Sequence, residues 1–434
     1  MSSRSVAALV LLVLLACLFV VFWTAIPRSL PLGGEQQVAA DPTVDFSAEE
    51  IKAGDELGVR LRWAGYSGLV VGLAVVIALG FWPLGARVVA AAARPLGGAW
   101  WLQVLLGGLL ILLIVRVCTL PFAAWGESIR RDVGLSTRSW AGWAIDVGKG
   151  FAVSAILTLI TLLALVWLSR RLPTWWWVFA AIGAALVVVV VSFAYPVVIE
   201  PIFNKFTPMA DGPLRTSLLE LAARDDVPVD DVLVADASRR TSSLNAYVSG
   251  FGSTRRIVVY DTLLDQASDD EIRNVVAHEL GHAKENDVLV GTLLAALGAA
   301  AGVVALSLVI SWAPLLRHSG VTGIADGRVV ALLLSLVAVT SLLTTPLQSS
   351  ASRRIEARAD VHALELTRDP TTFTQMQRRL ALASKADLTP NPILSALFGT
   401  HPTTAQRLAA ARAWAIQNDV AVPLPLSPDR QSLP

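Results

Sequence analysis

Two histidines and a glutamate stand at a spacing that could bind a metal ion and use it. His278, Glu279 and His282 fit the pattern H-E-x-x-H in a chain that contains only five histidines. Residues i and i+4 lie on one face of a helix, so both imidazole rings could reach a single ion. Glu279 would stand beside that ion, placed to take a proton from a water molecule. The pattern predicts a zinc-binding helix with a general base, as in zinc-dependent peptidases.

A catalytic zinc ion generally has three protein ligands, so a third must come from another segment. Glu356 and Asp360 lie four residues apart in a helical pattern and therefore share one face. Glu356 could bind the metal while Asp360 accepts the free ring N–H of a ligating histidine. Glu356 could equally pair with neighbouring arginines on a solvated helix. His362 is a competing ligand off that face, and Glu285 follows the motif but would point away.

Two residues near the C-terminus could assist the reaction. His401, which precedes Pro402, could donate a hydrogen bond to the oxyanion of a tetrahedral intermediate. Arg407 could hold an active-site side chain in position without touching the substrate, or it could contact the oxyanion itself. The alternative is that His401 is an ordinary loop histidine.

The elements around the motif can be predicted from turn and capping signals. Ser268 and Glu271 match a capping box that starts the metal-binding helix. Residues 213–225 predict a helix, and three short apolar runs predict strands at 232–235, 245–249 and 256–260. The strand that begins at Asn245 could bind a peptide by β-augmentation, or it could be plain sheet core.

The composition indicates a membrane protein. The 434 residues are 54% hydrophobic and only 16% charged, whereas soluble domains average about 25% charged. Seven apolar stretches are long enough, or nearly so, to cross a bilayer core of about 30 Å. They are 6–25, 67–92, 98–117, 150–168, 175–198, 288–313 and 328–346. The predicted fold is therefore mainly α and polytopic, with an α+β metalloprotease domain that contains a small β-sheet.

Charge and cysteine content exclude other classes. The net charge of +1 gives no reason to expect nucleic acid as a partner. Cys17 and Cys118 are the only cysteines, and both fall in or beside apolar spans, which argues against a disulfide framework or a cysteine-based metal site. The expected partners are the lipid bilayer and a membrane-associated peptide or protein substrate.

Two polar regions must form one domain. They are separated by two crossings, so both emerge on the same side of the membrane. The predicted division is a transmembrane region of about five spans at 1–198, catalytic segments at 199–287 and 347–420, two spans at 288–346, and a loose tail at 421–434. Basic residues are somewhat more frequent in the loops on the catalytic side, which favours an active site that faces the cytoplasm. The Arg-, Ala- and Val-rich composition indicates a bacterial genome, so the expected location is the bacterial cell membrane.

The chain resembles the type I CAAX prenyl endopeptidases, which are integral-membrane zinc metalloproteases. Motifs carry this resemblance in order over roughly residues 45–412. Besides H-E-x-x-H they are 120–122 (LPF), 134–136 (GLS) with Asp146, 201–208 (PIFNKFTP) with 211–212 (DG), 245–247 (NAY), 256–258 (RIV), 261–264 (DTLL), 356–360 (EARAD) and 401–402 (HP) with Arg407.

The resemblance implies a fold and a set of roles. Glu356 would be the third zinc ligand, His401 and Arg407 would line the active site, and Asn245 would align the peptide. The seven spans would form a hollow helical barrel that encloses a chamber. The sequence after His282 departs from the eukaryotic pattern, and the loop at 314–327 is short. The resemblance therefore supports a zinc peptidase reaction for this chain more strongly than it supports a CAAX substrate.

Two other functions are compatible with these residues. One is a membrane metalloprotease that removes damaged membrane proteins. The other is a transporter or receptor that binds metal without catalysis, and the intact Glu279 argues against it.

Overall fold

The computed structural model describes residues 2–28, 38–250, 252 and 255–428, and this part of the chain is mainly helical. The helices are α1 (Ser3–Ala25), α2 (Ala48–Phe81), α3 (Pro83–Ala93), α4 (Trp100–Leu102), α5 (Gly108–Asp132), α6 (Trp140–Arg171), α7 (Trp176–Ala194), α8 (Glu200–Phe203), α9 (Pro213–Arg224), α10 (Asp261–Gln266), α11 (Asp269–Lys284), α12 (Asp287–Val309), α13 (Ala313–Ser319), α14 (Val330–Thr367), α15 (Pro370–Ala383), α16 (Pro392–Phe398) and α17 (Thr404–Gln417). The strands are β1 (Phe206–Pro208), β2 (Asp231–Ala235), β3 (Ala246–Ser249) and β4 (Arg256–Tyr260).

Seven helical segments of the described chain are long and apolar enough to cross a membrane. They are Ser3–Ala25, Ala48–Phe81, Trp100–Asp132, Trp140–Arg171, Trp176–Phe203, Asp287–Val309 and Gly327–Thr367. Two of them join shorter helices through π-helical turns at Gln103–Gly107 and Tyr195–Ile199. Each span overlaps one predicted apolar stretch, so the prediction of a polytopic, mainly helical protein is confirmed.

The second span differs from its predicted limits of 67–92. Helix α2 begins at Ala48, where Ser47 and Glu50 form a capping box, and it ends at Phe81. Trp82 is extended, with φ −107° and ψ 164°, and Pro83 starts the separate helix α3. Proline disfavours a helical conformation in the residue before it, so the apolar run is broken there. The predicted limits were therefore wrong at both ends, since the span begins before residue 67 and ends before residue 92.

The small sheet has the order β1-β2-β4-β3. Strands β2 and β4 pair in parallel, while β1 and β3 pair antiparallel at the two edges. The predicted strands match β2, β3 and β4, and helix α11 begins with the predicted capping box of Ser268 and Glu271. Strand β1 was not predicted, since it has only three residues and ends in proline.

The sheet packs on helix α11 through one apolar core. Leu218 of α9, Ile257 of β4, Leu280 of α11, Phe373 of α15 and Trp414 of α17 belong to this core and are almost fully buried. Residues that precede the last two membrane spans in the chain and residues that follow them therefore form one hydrophobic cluster. This cluster fixes α11 relative to the C-terminal helices.

The C-terminal tail is held in place over its described part, contrary to the predicted loose segment at 421–434. Arg412 is buried and pairs with Asp45 at 2.5 and 2.8 Å. The backbone N–H of Leu426 donates to Asp45, and that of Ser427 donates to the Val44 carbonyl at 3.2 Å. Residues 429–434 lie outside the described part of the chain. The division into catalytic and membrane segments stays a prediction.

Candidate metal centre and active site

The side chains of His278, His282 and Glu356 converge where α11 faces α14. The two histidine Nε2 atoms lie 3.3 Å apart. Glu356 Oε2 lies 3.3 Å from Nε2 of His278, and its Oε1 lies 3.7 Å from Nε2 of His282. One ligand atom from each residue falls within 4.8 Å of the others. The structure thus brings together three residues that are 78 positions apart at most in a chain that crosses the membrane between them.

The donor set fits a tetrahedral cation. Nδ1 of His282 lies 2.9 Å from Asp287 Oδ2, and Nδ1 of His278 lies 2.9 Å from Asp360 Oδ1, although off the line of an ideal hydrogen bond. A proton on each Nδ1 leaves the two Nε2 lone pairs facing each other, which repel unless a cation lies between them. Zn–N bonds of about 2.0–2.1 Å in tetrahedral geometry separate two ligand atoms by roughly 3.3 Å.

Each of these aspartates is held in turn by an arginine. Arg407 donates to both oxygens of Asp360 at 2.5 and 2.8 Å, and Arg358 donates to Asp287. Asp360 therefore lies beside His278, and its role in orienting that ring stays a prediction. Arg407 is a buried partner of Asp360 rather than a group beside the reacting atoms. Asp287 was missed by sequence reasoning, and its only signal is an acidic residue just over one helical turn after His282.

Burial and charge set the proton affinity of the site. Burial lowers the pKa of His278, but the carboxylates of Asp360 and Glu356 more than offset it and the net pKa is about 10. The pocket thus favours positive charge at the position where a metal ion would bind. Burial also raises the pKa of Glu279 above its ordinary value. The Glu279 carboxylate makes no hydrogen bond within the described residues, so its oxygens are free to accept a proton.

His401 reaches the same cluster from the loop before α17. Its Nε2 lies 3.3 Å from Glu356 Oε2, and its Nδ1 lies 2.9 Å from the Thr400 hydroxyl. The side chain is 55% exposed, so a substrate could contact it. Asn245 immediately precedes the edge strand β3, which packs beside α11. Its side chain is exposed and its carbonyl accepts from the backbone N–H of Tyr260 at 3.0 Å.

The competing ligands point elsewhere. His362 Nε2 lies 2.9 Å from Asp225 Oδ2, and Glu285 pairs with Arg358 at 3.2 Å. The arginines that could have neutralised Glu356 are also engaged elsewhere. Arg353 donates to the Ser395, Ala396 and Gly399 carbonyls, and Arg354 donates to the Pro27 carbonyl.

Gly281 of α11 lies against His362 of α14. A Cβ atom at Gly281 would lie 3.0–3.1 Å from the His362 side chain. A glycine in the last turn of α11 therefore lets α14 pack close enough for Glu356 to reach both histidines.

Two family models of known proteins match the two halves of the chain. The family model for peptidase family M48 matches residues 208–415. The model described as CAAX prenyl protease N-terminal, five membrane helices, matches residues 62–205.

Curated relatives align over most of the chain. A Bacillus subtilis protein named uncharacterized metalloprotease YhfN is 32% identical over 302 residues, which is 69% of this chain and 71% of that protein. An Arabidopsis thaliana protein named CAAX prenyl protease 1 homolog is 33% identical over 311 residues, covering 68% and 70% of the two chains. Among solved structures, S. mikatae Ste24p has a TM-score of 0.71 at 22% identity, over 95% of this chain and 99% of that one. This match confirms the expected fold class.

Proposed function

Because this chain belongs to peptidase family M48, we propose that His278, His282 and Glu356 bind a catalytic zinc ion and that Glu279 is the general base. The family and the seven apolar helices make it a multi-pass membrane metallopeptidase. The observation that supports the ligand set is the meeting of two imidazole Nε2 atoms and one carboxylate at ligand spacing. One zinc ion per chain would complete the site.

A zinc ion bound there would supply Lewis acidity, which lowers the pKa of water and polarises a carbonyl group. Glu279 accepts the proton of the attacking water and passes it to the leaving amine, which its raised pKa favours. His401, whose side chain is about half exposed, donates from Nε2 to the developing oxyanion. Asp360 and Arg407 keep His278 oriented, as Asp287 and Arg358 do for His282.

Peptides are proposed to bind along β3. This strand lies at an edge of the sheet and packs beside α11. An extended substrate would add to this edge by backbone hydrogen bonds, and the exposed Asn245 would align it next to Glu279.

The substrate class is proposed from the relatives and from the membrane spans. Several relatives are named CAAX prenyl protease 1 or its homolog, which favours processing of membrane-associated proteins near their C-termini. The loop charges favour a catalytic side that faces the cytoplasm of a bacterial cell. General removal of damaged membrane proteins is the alternative, and comparison of cellular proteomes with and without activity distinguishes the two.

The Glu279→Gln variant tests the mechanism. It keeps the size of the side chain and removes its basicity, so cleavage of an unstructured peptide should fall by about 10²–10⁴-fold while metal content stays unchanged. Glu365→Gln, at an exposed position of α14, is the matched control and should cleave normally. Unchanged cleavage by Glu279→Gln would overturn the assignment of the base, and a metal-free wild-type protein with full activity would overturn the whole proposal.

A further inference from the structure

An arginine without a partner lies within the membrane region. Arg116 is on the continuous helix Trp100–Asp132. Glu127, the next charged residue along this helix, is roughly 16 Å away at about 1.5 Å per residue. Arg116 therefore lies about three helical turns from Glu127, within the span Trp100–Asp132.

No carboxylate of the described residues pairs with this charge. The Nε atom of Arg116 is buried without a hydrogen-bond partner, and its guanidinium makes no ion pair within the described residues. A charged side chain within a membrane span is costly, and such residues face cavities and mark binding sites or pathways. Arg116 is therefore a candidate for binding an anion that enters from outside the chain.

Two cavities meet at Arg116 and share Phe151 and Ser154 with it. The smaller, of about 490 Å³, is also lined by Arg138 and Arg240. Its carboxylate, Asp146, is already paired with Arg138 at 3.3 Å. This cavity is therefore basic overall.

The larger cavity, of about 730 Å³, has mostly apolar walls and reaches Phe398 of α16. Phe398 is three residues before His401, so this space extends from the catalytic end of the molecule to Arg116. Together the two cavities combine an apolar path with a cationic end.

We propose that Arg116 binds the free C-terminal carboxylate of a peptide substrate whose scissile bond lies at the metal centre. This inference rests on the proposed peptidase function. A guanidinium group binds a carboxylate through two parallel hydrogen bonds and repels an N-terminal ammonium group. The segment after the scissile bond would therefore enter the chamber first.

The larger cavity, which is lined by both Arg116 and Phe398, favours a peptide rather than a phospholipid. The phosphate of a bilayer lipid stays at the interface, about 15 Å from the midplane. A peptide that enters the chamber from the catalytic end can carry its carboxylate to Arg116. Apolar side chains on the peptide would match the walls of the larger cavity.

The separation of Arg116 from the metal centre sets a length requirement. Thr345 lines the larger cavity, and Glu356 follows it on the same helix α14, roughly 16 Å further along the axis. An extended peptide covers about 3.3 Å per residue. About five residues after the scissile bond would thus extend from Glu356 to the level of Thr345, in the cavity that Arg116 also lines.

Binding of matched peptides tests this inference without requiring cleavage. The probes are two fluorescent apolar peptides of about ten residues, identical except for a free carboxylate or an amide at the C-terminus. Fluorescence anisotropy measures their binding to full-length Glu279→Gln protein in nanodiscs. Amidation should weaken binding by about 10- to 100-fold, because a charge-assisted hydrogen-bonded pair is lost.

Substitution of Arg116 should remove this discrimination. In Arg116→Gln the two peptides should bind alike, and Arg116→Lys should restore part of the preference. Thermal stability should not fall in Arg116→Gln, since it removes an unpaired charge from the membrane interior. Arg87→Gln, an exposed arginine of α3 away from both cavities, is the control and should keep full discrimination.

The outcomes separate this inference from the proposed function. Equal binding of the acid and amide by the Arg116-containing protein overturns the inference, as does a co-purified phospholipid that occupies the site and excludes both peptides. If wild-type protein cleaves both peptides at equal rates, the peptidase assignment stands and the carboxylate site is wrong. If it cleaves neither peptide, both proposals fail.

Discussion

At the scale of single residues, the metal centre is built from two parallel chains of contacts. His278 is followed by Asp360 and Arg407, and His282 by Asp287 and Arg358. In each chain the aspartate fixes the ring tautomer and the arginine fixes the aspartate. The position of both Nε2 lone pairs therefore depends on residues that never touch the substrate.

Asp287→Asn should weaken metal binding without unfolding the protein. The amide keeps the shape of the side chain but loses the charge that favours a proton on Nδ1 of His282. Zinc affinity, measured by competition with a chelator, should fall about 10- to 100-fold. Asp270→Asn, at an exposed position of α11, the helix that carries His282, is the control. Equal zinc affinity in the two variants would show that Asp287 does not orient His282.

Gly281→Ala tests the close packing of α11 on α14. Alanine favours a helix by about 1 kcal/mol, but its Cβ would press on His362, and overpacking costs about 1–3 kcal/mol. His362 is held by Asp225, so the strain should move α14 and with it Glu356. Zinc affinity should fall about tenfold or more, since a third ligand is displaced.

The double variant Gly281→Ala with His362→Ala separates packing from other effects. Removing the ring makes room for the new methyl group, so zinc affinity should recover most of its loss. If His362→Ala alone abolishes zinc binding, His362 has a role beyond packing and the explanation given for Gly281 is incomplete.

At the scale of elements, local sequence signals predicted a helix or strand wherever its structure depends on its own residues alone. The capping box at Ser268 fixed the start of α11, and β2, β3 and β4 followed from short apolar runs. The break at Pro83 was visible in the sequence, but hydropathy alone merged α2 with α3.

Contacts between distant segments could not be predicted from the sequence. The pairing of Arg412 with Asp45, the Asp287–Arg358 chain and the His362–Asp225 pair all join residues that no spacing rule connects. Spacing left the choice between Glu356 and His362 open, and family resemblance was needed to favour Glu356. In the structure, α14 packs across Gly281, and this packing turns Glu356 rather than His362 towards His278 and His282. That packing joins two distant segments, so spacing could not predict it.

Val248→Pro should impair substrate binding at β3 more than it impairs folding. The Asn245 carbonyl bonds to the Tyr260 N–H, so residues 245, 247 and 249 face β4. In an antiparallel pair the alternate residue Val248 then directs its N–H away from β4, towards a bound peptide. KM for an unstructured peptide should rise about tenfold as one backbone hydrogen bond is lost.

Val248→Ala is the control, since it keeps the backbone N–H and should change KM little. Tyr247→Pro, by contrast, removes a donor that bonds to β4 and should lower the melting temperature. If Val248→Pro leaves KM unchanged while the protein stays folded, peptides do not bind along β3.

At the scale of the whole molecule, the metal centre joins two polar segments that the membrane region separates. Helix α11 precedes the span Asp287–Val309, and Glu356 follows the transmembrane part of the span Gly327–Thr367. A metal ion bound by both would clamp the two segments at the mouth of the chamber. The apolar core around Leu280 and Phe373 supplies a second link that needs no metal.

Metal removal should therefore loosen the catalytic segments while the spans stay folded. A ligand present at about 1,000 times its Kd stabilises the bound state by about 4 kcal/mol, so chelation should lower the melting temperature measurably. Hydrogen exchange should accelerate at 269–284 and 352–366 and change little in Trp140–Arg171. In Glu356→Gln the clamp is already broken, so chelation should shift the melting temperature much less, whereas Glu365→Gln should respond like wild type. Unchanged exchange at both segments after complete metal removal would mean that the apolar core alone holds them together.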